Sequence, residues 1–166
     1  MEEKPSSNSR TVKTAQIFPP DANAYGTLFG GKLMAHIDDV AAIAAVRHAR
    51  QSVVTASTDS VDFLQPVKVG DSICIEGIVT FVHNTSMEVF VKVVKESLLT
   101  AEETICATAF LTFVAFGEEG KPAVVPKVYP ETEHEKMLFE GAELRRERRN
   151  ERRKESQRMA ALFGAD

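Results

Sequence analysis

The order of apolar and polar residues changes near residue 50 from a helical period to a strand period. Between residues 29 and 49, apolar side chains recur every three or four positions, which predicts a helix that begins around Phe29 to Gly31. Its main stripe consists of Leu33, Ile37, Val40, Ala41, Ala44 and His48. Because the flanking positions are also mostly apolar, we expect this helix to be buried on nearly all sides.

Runs rich in Val, Ile, Thr and Phe surround the helical segment. This composition favours strands, and the runs lie at residues 11–18, 53–67, 72–83, 86–97 and 104–117. Because the connections between the last four are short, we expect antiparallel neighbours. The pattern predicts a single α+β domain over residues 11–118, in which a curved antiparallel sheet wraps one long central helix.

Both ends of the chain are predicted to lie outside that domain. Residues 1–10 are polar, and we expect a flexible N-terminal tail there. Residues 119–166 begin with a proline-containing linker and continue as a charged helix without an apolar residue from Arg145 to Arg158. This pattern is typical of a solvated or frayed helix. Alternatively, arginines within residues 145–153 reach a phosphate on a ligand or a carboxylate on another subunit.

Composition narrows the class of protein. The chain is 43% hydrophobic and 27% charged, which is typical of a globular domain. It carries neither an apolar run of transmembrane length nor a secretory signal, so we expect a cytoplasmic protein without membrane insertion. Cys74 and Cys106 lie in strand-like runs without a CxxC motif, which indicates two reduced core thiols.

The net charge of −4 is unevenly distributed. Residues 142–166 hold eight basic and five acidic side chains, whereas residues 1–141 hold twelve and nineteen. A basic end on an acidic body suggests an anionic ligand. Nucleic acid is disfavoured as that ligand, because glutamates alternate with the arginines and aromatic residues do not.

Motifs of several enzyme classes are absent. The sequence has no GxSxG elbow and no phosphate-binding P-loop, so neither a serine-hydrolase triad nor a nucleotide site of that kind is supported. The adjacent residues Asp38 and Asp39 diverge by about 100° on a helix. They cannot easily face one ion, and we expect no metal.

The start of the predicted helix carries the candidate chemistry. Gly30 and Gly31 leave backbone N–H donors free and open to close approach, which outlines an oxyanion hole. Asp38, two turns further along in apolar surroundings, is a candidate general base for water. Asn23, in the preceding loop, can orient the water or the carbonyl. Together these residues suit hydrolysis of an ester or a thioester.

Several stretches resemble the hotdog-fold acyl-CoA thioesterases, specifically the bacterial acyl-CoA hydrolases related to the mammalian cytosolic long-chain enzymes. The first is the pattern D-A-N-x-x-G-x-x-F-G-G-x-L-M followed by Ile37-Asp38-Asp39-Val40-Ala41. The others are VVTASTDSVDFLQPVKVGD, NTSMEVFVKV and VPKVYPETEHEKMLFEGAELRR. The resemblance covers nearly all of residues 11–146.

The resemblance implies hydrolysis of fatty acyl-CoA to free fatty acid and coenzyme A, with no separate cofactor. It implies dimers joined through their sheets, assembled as trimers of dimers, with active sites at the dimer interface. Asp38 and Asn23 match the catalytic residues, which act on one substrate from opposite subunits. Gly30 and Gly31 match the carbonyl-binding backbone. The turn Asn84-Thr85-Ser86 matches a segment near the coenzyme A arm, and Asp39 is expected to be structural.

The same fold also suits two other functions, a sensor and a dehydratase. A non-catalytic acyl-CoA-binding sensor would keep the pocket and lose the base, so the presence of both Asn23 and Asp38 argues against it. A hotdog dehydratase is disfavoured because His36 and Asp38, two positions apart, point to different helix faces. For a hydrolase, direct attack by the Asp38 carboxylate through an anhydride stays open beside activation of water.

Overall fold

The computed structural model describes residues 2–164. Met1, Ala165 and Asp166, at the outer ends of the two predicted terminal segments, lie outside the described residues. The strands and helices are β1 (Glu3–Pro5), β2 (Thr11–Gln16), α1 (Gly30–Ala49), β3 (Ser52–Phe63), β4 (Ser72–His83), β5 (Ser86–Glu96), β6 (Glu103–Phe116), β7 (Lys127–Tyr129), α2 (Glu133–Glu140) and α3 (Ala142–Phe163). This order confirms the predicted α+β fold.

Five strands form one antiparallel sheet in the order β2-β4-β5-β6-β3. Strand β3 is therefore an edge strand whose single neighbour is β6. The pairing of β3 with β6 shifts twice, between Thr55 and Ser57 and again between Thr58 and Ser60. Such bulges bend a strand and redirect its side chains. They lie in the strand that faces the middle of the helix.

Helix α1 lies across the inner face of the sheet. Its predicted stripe is buried in full, and it packs on alternate side chains of the strands, of which Val89, Val91 and Val93 are completely buried. The crossing is close at Gly77, where an added Cβ would lie 3.1 Å from a methyl of Val40. A residue without a side chain therefore lets the helix approach β4.

The helix is not buried on all sides within one chain. Met34, Ile43 and Val46 on its flank are between 41% and 43% exposed, and Val54 of the neighbouring edge strand is 50% exposed. The prediction of burial all round is wrong for this flank because one sheet covers only one side of a helix. The chain thus presents an apolar strip beside its edge strand.

The expectation of a flexible N-terminal tail is wrong for residues 3–9. Strand β1 pairs in parallel with β7, and Ser6 and Ser9 are buried in the short 3-10 turn that follows. The Ser9 hydroxyl donates to the Ser6 carbonyl at 2.7 Å and accepts from the Val79 N–H at 2.8 Å. Hydroxyl groups make these contacts, so apolar periodicity could not predict them.

Helix α3 is held to the outer face of the sheet by charged groups. The Arg145 guanidinium donates two hydrogen bonds to the Glu88 carboxylate, at 2.9 and 2.8 Å, and lies 4.4 Å over the Phe110 ring. Glu88 is only 3% exposed. Arg149 and Arg152 also reach a carboxylate of the same chain. The prediction of a solvated or frayed helix is therefore wrong for the side of α3 that carries Arg145, Arg149 and Arg152, whereas the opposite side is exposed.

Beyond residue 152, the described side chains of α3 are exposed. No helix within residues 2–164 is both long enough and apolar enough to cross a membrane. The placement of residues 11–118 and 119–166 in separate units stays a prediction.

Candidate active site

The loop before α1 is organised around Asn23. Its side-chain Oδ1 accepts hydrogen bonds from the N–H groups of Tyr25 and Thr27, at 2.9 and 3.2 Å, and its Nδ2 donates to the Thr27 hydroxyl at 2.9 Å. Gly26 has a φ of 74°, a conformation in which glycine is unstrained. The Asn23 side chain is exposed, and the second hydrogen of its amide group is left for a ligand.

Helix α1 begins without a capping side chain. Phe29 occupies the N-cap position, and the N–H groups of Lys32 and Leu33 both donate to its carbonyl, at 3.0 and 3.2 Å. Since Phe29 has no side-chain oxygen, the N–H groups of Gly30 and Gly31 receive no cap. Uncapped N–H groups at the positive end of a helix attract an oxygen that gains negative charge.

A cleft of about 340 Å³ opens beside this helix start. Gly30, Leu28 and Leu33 line this cleft together with the end of β3 and the segment after it, from Phe63 to Val67. Most of the lining is apolar, so the cleft suits a hydrocarbon chain next to the free N–H groups.

The middle of α1 carries Asp38 in a defined hydrogen bond. The Thr55 hydroxyl on β3 donates to Asp38 Oδ1 at 2.8 Å. Asp38 is half-buried, so its other oxygen remains available. A fixed carboxylate with one free oxygen can accept a proton from water or attack a carbonyl carbon.

Thr55 was not among the residues singled out from the sequence. It follows Val53 and Val54 in a β-like run, where threonine is common for its strand propensity alone. Thr55 also lies in VVTASTDSVDFLQPVKVGD, one of the stretches that resemble the acyl-CoA hydrolases. That stretch does not by itself single out Thr55, whose position opposite the middle of the helix depends on the register of the sheet.

The other polar residues near Asp38 have separate contacts. Asp39 forms an exposed ion pair with Lys13 of β2, with 2.9 Å between Asp39 Oδ2 and Lys13 Nζ. Its expected structural role agrees with this contact. Burial and the neighbouring Lys13 lower the pKa of His36. Within residues 2–164, no three His, Cys, Asp or Glu side chains gather closely enough to hold a metal ion.

The turn Asn84-Thr85-Ser86 joins β4 to β5 at the far end of the sheet. Asn84 has a φ of 46°, and its carbonyl accepts the Val125 N–H at 2.9 Å. Phe113 pairs with both Thr55 and Met87, so the turn begins just past the row of the sheet that holds Thr55. The cleft beside Gly30 lies at the opposite end of β3.

One chain therefore brings the predicted residues together in two separate groups. Asn23 and the N–H groups of Gly30 and Gly31 lie at the start of α1. Asp38 lies eight residues after Gly30, which is about 12 Å along a helix. That separation is too long for one chain to present both groups to a single carbonyl.

The chain is similar in sequence to known thioester hydrolases. A family model described as the thioesterase superfamily matches residues 25–102. An uncharacterised acyl-CoA thioester hydrolase of Bacillus subtilis is 54% identical over 158 residues, which cover 95% of this chain and 92% of that protein. The cytosolic acyl coenzyme A thioester hydrolase of Rattus norvegicus is 40% identical over 75% of this chain. This alignment covers 33% of the rat protein, so the chain corresponds to about a third of that relative.

Solved structures agree over nearly the whole chain. An acyl-CoA hydrolase of Staphylococcus aureus, in complex with butyryl coenzyme A, coenzyme A and coenzyme A disulfide, is 45% identical with a TM-score of 0.94. The match covers 98% of this chain and 99% of that one. A hexameric acyl-CoA thioesterase is 50% identical with a TM-score of 0.89, and the match covers 92% of this chain and 97% of that one.

Three variants of the Staphylococcus aureus enzyme replace an asparagine, an aspartate and a threonine with alanine. There the aspartate follows the asparagine by 15 residues, and the threonine follows the aspartate by 17 residues. In this chain Asn23, Asp38 and Thr55 have the same two spacings. Asn23 and Asp38, which the sequence predicted, and Thr55, which its hydrogen bond identified, therefore match the three replaced residues in type and spacing.

The fold and these matches define a thioester hydrolase of the hotdog class. Within that class, the chain belongs to the acyl-CoA hydrolases of the thioesterase superfamily. The resemblance noted in the sequence is confirmed.

Proposed function

We propose that this protein hydrolyses fatty acyl-CoA to free fatty acid and coenzyme A, with Asp38 as the general base. The observation that carries the proposal is the hydrogen bond from Thr55 to Asp38. It fixes one oxygen of a half-buried carboxylate and leaves the other free for water. The spacing of Asn23, Asp38 and Thr55, shared with the residues replaced in the Staphylococcus aureus enzyme, supports the assignment.

The complete site takes residues from two subunits. Asn23, Gly30 and Gly31 come from one chain and Asp38 from its partner, because about 12 Å of helix separates the two groups within a chain. Two antiparallel copies of α1 bring the start of one helix beside the middle of the other. The exposed apolar strip at Met34, Ile43, Val46 and Val54 is the surface that such a dimer would cover.

The chemistry then follows from the positions of these groups. Asp38 takes a proton from water, and the resulting hydroxide attacks the thioester carbonyl carbon. The N–H groups of Gly30 and Gly31 stabilise the oxyanion that develops. Asn23 orients the water or the carbonyl through its free N–H. Collapse of the intermediate breaks the C–S bond, and the proton held by Asp38 passes to the departing sulfur.

The acyl chain occupies the apolar cleft beside Gly30. Coenzyme A extends from the carbonyl toward Asn84, Thr85 and Ser86 of the subunit that supplies Asp38. On that subunit the turn lies two strands from Thr55 across the sheet, about 10 Å at ordinary strand spacing. We further propose assembly of three such dimers, the arrangement that the family resemblance implies and that a hexameric relative supports.

The first experiment measures thiol release from acyl-CoAs of increasing chain length by the wild type and Asp38→Ala. With loss of general-base catalysis, we expect the variant to be about 10²- to 10⁴-fold slower while still folded and oligomeric. If the wild type binds acyl-CoA but releases no thiol, the protein is an acyl-CoA sensor or a hotdog dehydratase. If Asp38→Ala is as fast as the wild type, another group is the base.

Complementation tests the two-subunit site. Asn23→Ala and Asp38→Ala homodimers have no intact site, whereas each mixed dimer has one. Refolding the two variants together at equal amounts should therefore restore about a quarter of wild-type activity, because half the dimers are mixed and each has one of two sites. Recovery no greater than the sum of the separate variants would place both residues in one chain's site.

Single turnover in ¹⁸O water tests activation of water against direct attack by Asp38 followed by hydrolysis at the aspartyl carbon. If Asp38 activates water, the fatty acid of the first turnover carries the label. If Asp38 attacks directly, hydrolysis of the anhydride at the aspartyl carbon leaves an unlabelled fatty acid and a labelled aspartate. We expect labelled fatty acid from the first turnover.

A further inference from the structure

The basic side chains of α3 form a regular stripe against the outer face of the sheet. Arg145, Arg149 and Arg152 recur at intervals of four and three residues, so they share one side of the helix. Arg145 pairs with the buried Glu88, and the other two converge on Asp59 of β3. The helix is therefore held at both the centre of the sheet and its edge.

Asp59 lies at the second register shift of the edge strand, where it has no partner residue on β6. Its carboxylate accepts hydrogen bonds from the hydroxyls of Ser57 and Thr112, at 2.5 and 2.7 Å. The side chain is only 11% exposed. A buried carboxylate at a bulge requires a cation nearby to offset its loss of hydration.

Two arginines of α3 supply that cation. Arg152 donates through Nη2 to Asp59 Oδ1 at 2.6 Å and through Nη1 to the Asp59 carbonyl at 3.2 Å. Arg149 Nη1 lies 3.6 Å from Asp59 Oδ2. The contact to the carbonyl fixes the backbone of the bulge itself, which β6 does not pair.

The bulged segment connects directly to the residue that holds Asp38. Thr55 precedes Asp59 by four residues in the same edge strand, and the first register shift lies between them. Within one chain, β3 pairs with β6 on one side only, packs against α1 on its inner face and is contacted by α3 on its outer face. A change in the bulge therefore alters where the Thr55 hydroxyl meets Asp38.

We propose that Arg152, assisted by Arg149, is a positioning residue for thioester hydrolysis. It acts through Asp59 on the course of β3, and so on the hydrogen bond from Thr55 to Asp38. The inference rests on the proposed function for its effect on turnover. The charged C-terminal helix then serves the active site from the opposite face of the sheet.

Steady-state kinetics of four variants test this role, using the acyl-CoA that the wild type hydrolyses fastest. Arg152→Gln should lower kcat about 3- to 10-fold, because an effect that acts through Thr55 cannot exceed the loss of its hydroxyl, and should leave KM within about twofold. Arg152→Lys should recover part of the loss, because one ammonium can reach the carboxylate but cannot match the two-pronged contact. Arg153→Gln is the matched control, since Arg153 is exposed and forms no ion pair with residues 2–164.

The double variant Arg152→Gln/Thr55→Val tests directly whether Arg152 acts through Thr55. If Arg152 acts through Thr55, the double variant should be no slower than Thr55→Val alone. Multiplied losses in the double variant, or an unchanged kcat in Arg152→Gln, would overturn the proposal. A fall in thermal stability without a fall in kcat would mean that α3 stabilises the fold but does not affect turnover.

Hydrogen exchange of the β3 amides bonded to β6 tests the same contact without turnover. Arg152→Gln should accelerate their exchange, whereas Arg153→Gln should not. Equal exchange in both variants would overturn the proposal. A wild type that releases no thiol would instead refute the proposed function, and the exchange result would still decide whether α3 holds the strand.

Discussion

Thr55 and Asp38 lie on different elements, β3 and α1, and are joined by a hydrogen bond of 2.8 Å from hydroxyl to carboxylate. The bond holds the carboxylate in one orientation before any substrate arrives. A group fixed in advance needs no reorganisation during the reaction, which is one source of catalytic rate. In the proposed mechanism, the edge strand therefore positions the general base carried by the central helix.

Removal of the Thr55 hydroxyl should slow the chemical step. Thr55→Val keeps the branched shape of the side chain and loses only the donor, so we expect a kcat about tenfold lower and a KM close to that of the wild type. Thr14→Val on the opposite edge strand is the control, because Thr14 is also an exposed strand threonine. Equal kcat values in the two variants would show that the Thr55 hydroxyl does not contribute to catalysis.

Gly31→Ala tests the start of the helix. An added Cβ would lie 2.7 Å from the Phe29 ring, and the half-exposed ring must move aside. We expect the melting temperature to change little while kcat/KM falls about tenfold, because the displaced ring crowds the free N–H groups. Gly117→Ala, whose methyl meets Ala123 at 3.4 Å, should retain wild-type kcat/KM. An active Gly31→Ala enzyme would argue for carbonyl binding elsewhere.

The pair of Glu88 and Arg145 should dominate the stability of the C-terminal half. Arg145→Met leaves a buried carboxylate without its partner, and we expect a loss of about 3–5 kcal/mol in the free energy of unfolding. Urea denaturation measures it. The double variant Arg145→Met/Glu88→Leu should recover much of that loss, and Arg148→Met on the exposed side should change little. A double variant as unstable as Arg145→Met would mean that packing of the guanidinium, and not its charge, matters.

His48 should make the protein less stable in mild acid. Burial lowers the pKa of this side chain, whose Nε2 donates to the Pro126 carbonyl at 2.8 Å while Nδ1 has no partner among residues 2–164. The unfolded chain takes up a proton near pH 6.5, whereas the folded chain does so only at lower pH. Stability from this group is therefore complete above pH 6.5 and is lost as the pH falls below it, by at most about 1.4 kcal/mol per pH unit.

The measurement compares unfolding free energies of the wild type and His48→Gln between pH 7.5 and 5.5. Glutamine retains a donor for the Pro126 carbonyl and does not titrate, so the variant should show a shallower decline. Parallel declines would assign the acid sensitivity to other groups.

Periodicity predicted the parts of the fold that are made by apolar contacts. The five strands of the large sheet and α1 agree with the sequence pattern, because alternate residues of a strand, and every third or fourth residue of a helix, must face one core. The short strands β1 and β7 were not predicted. Burial of the α1 flank was overestimated, since a pattern cannot tell whether the covering surface belongs to the same chain. Asn23 and Asp38 were singled out by their place in a motif, and their catalytic roles stay predictions.

The sequence pattern does not predict contacts that are made by polar groups. The serines of residues 6–9 are buried through hydroxyl hydrogen bonds, and Arg145 is anchored by a carboxylate 57 positions away. Neither contact leaves a periodic apolar signal. Thr55 was missed for a related reason, since its importance depends on the register of β3 against the helix.

The parallel pairing of β1 with β7 sets the order in which the chain can be completed during synthesis. Ser6 bonds to the carbonyl of Tyr129, a partner 123 positions later. At about 5–20 residues per second, a ribosome needs roughly 6–25 seconds to make that stretch. For this interval β1 has no partner strand, because β7 has not yet been made. Strand β1 is therefore among the last parts of the described chain to reach its native pairing.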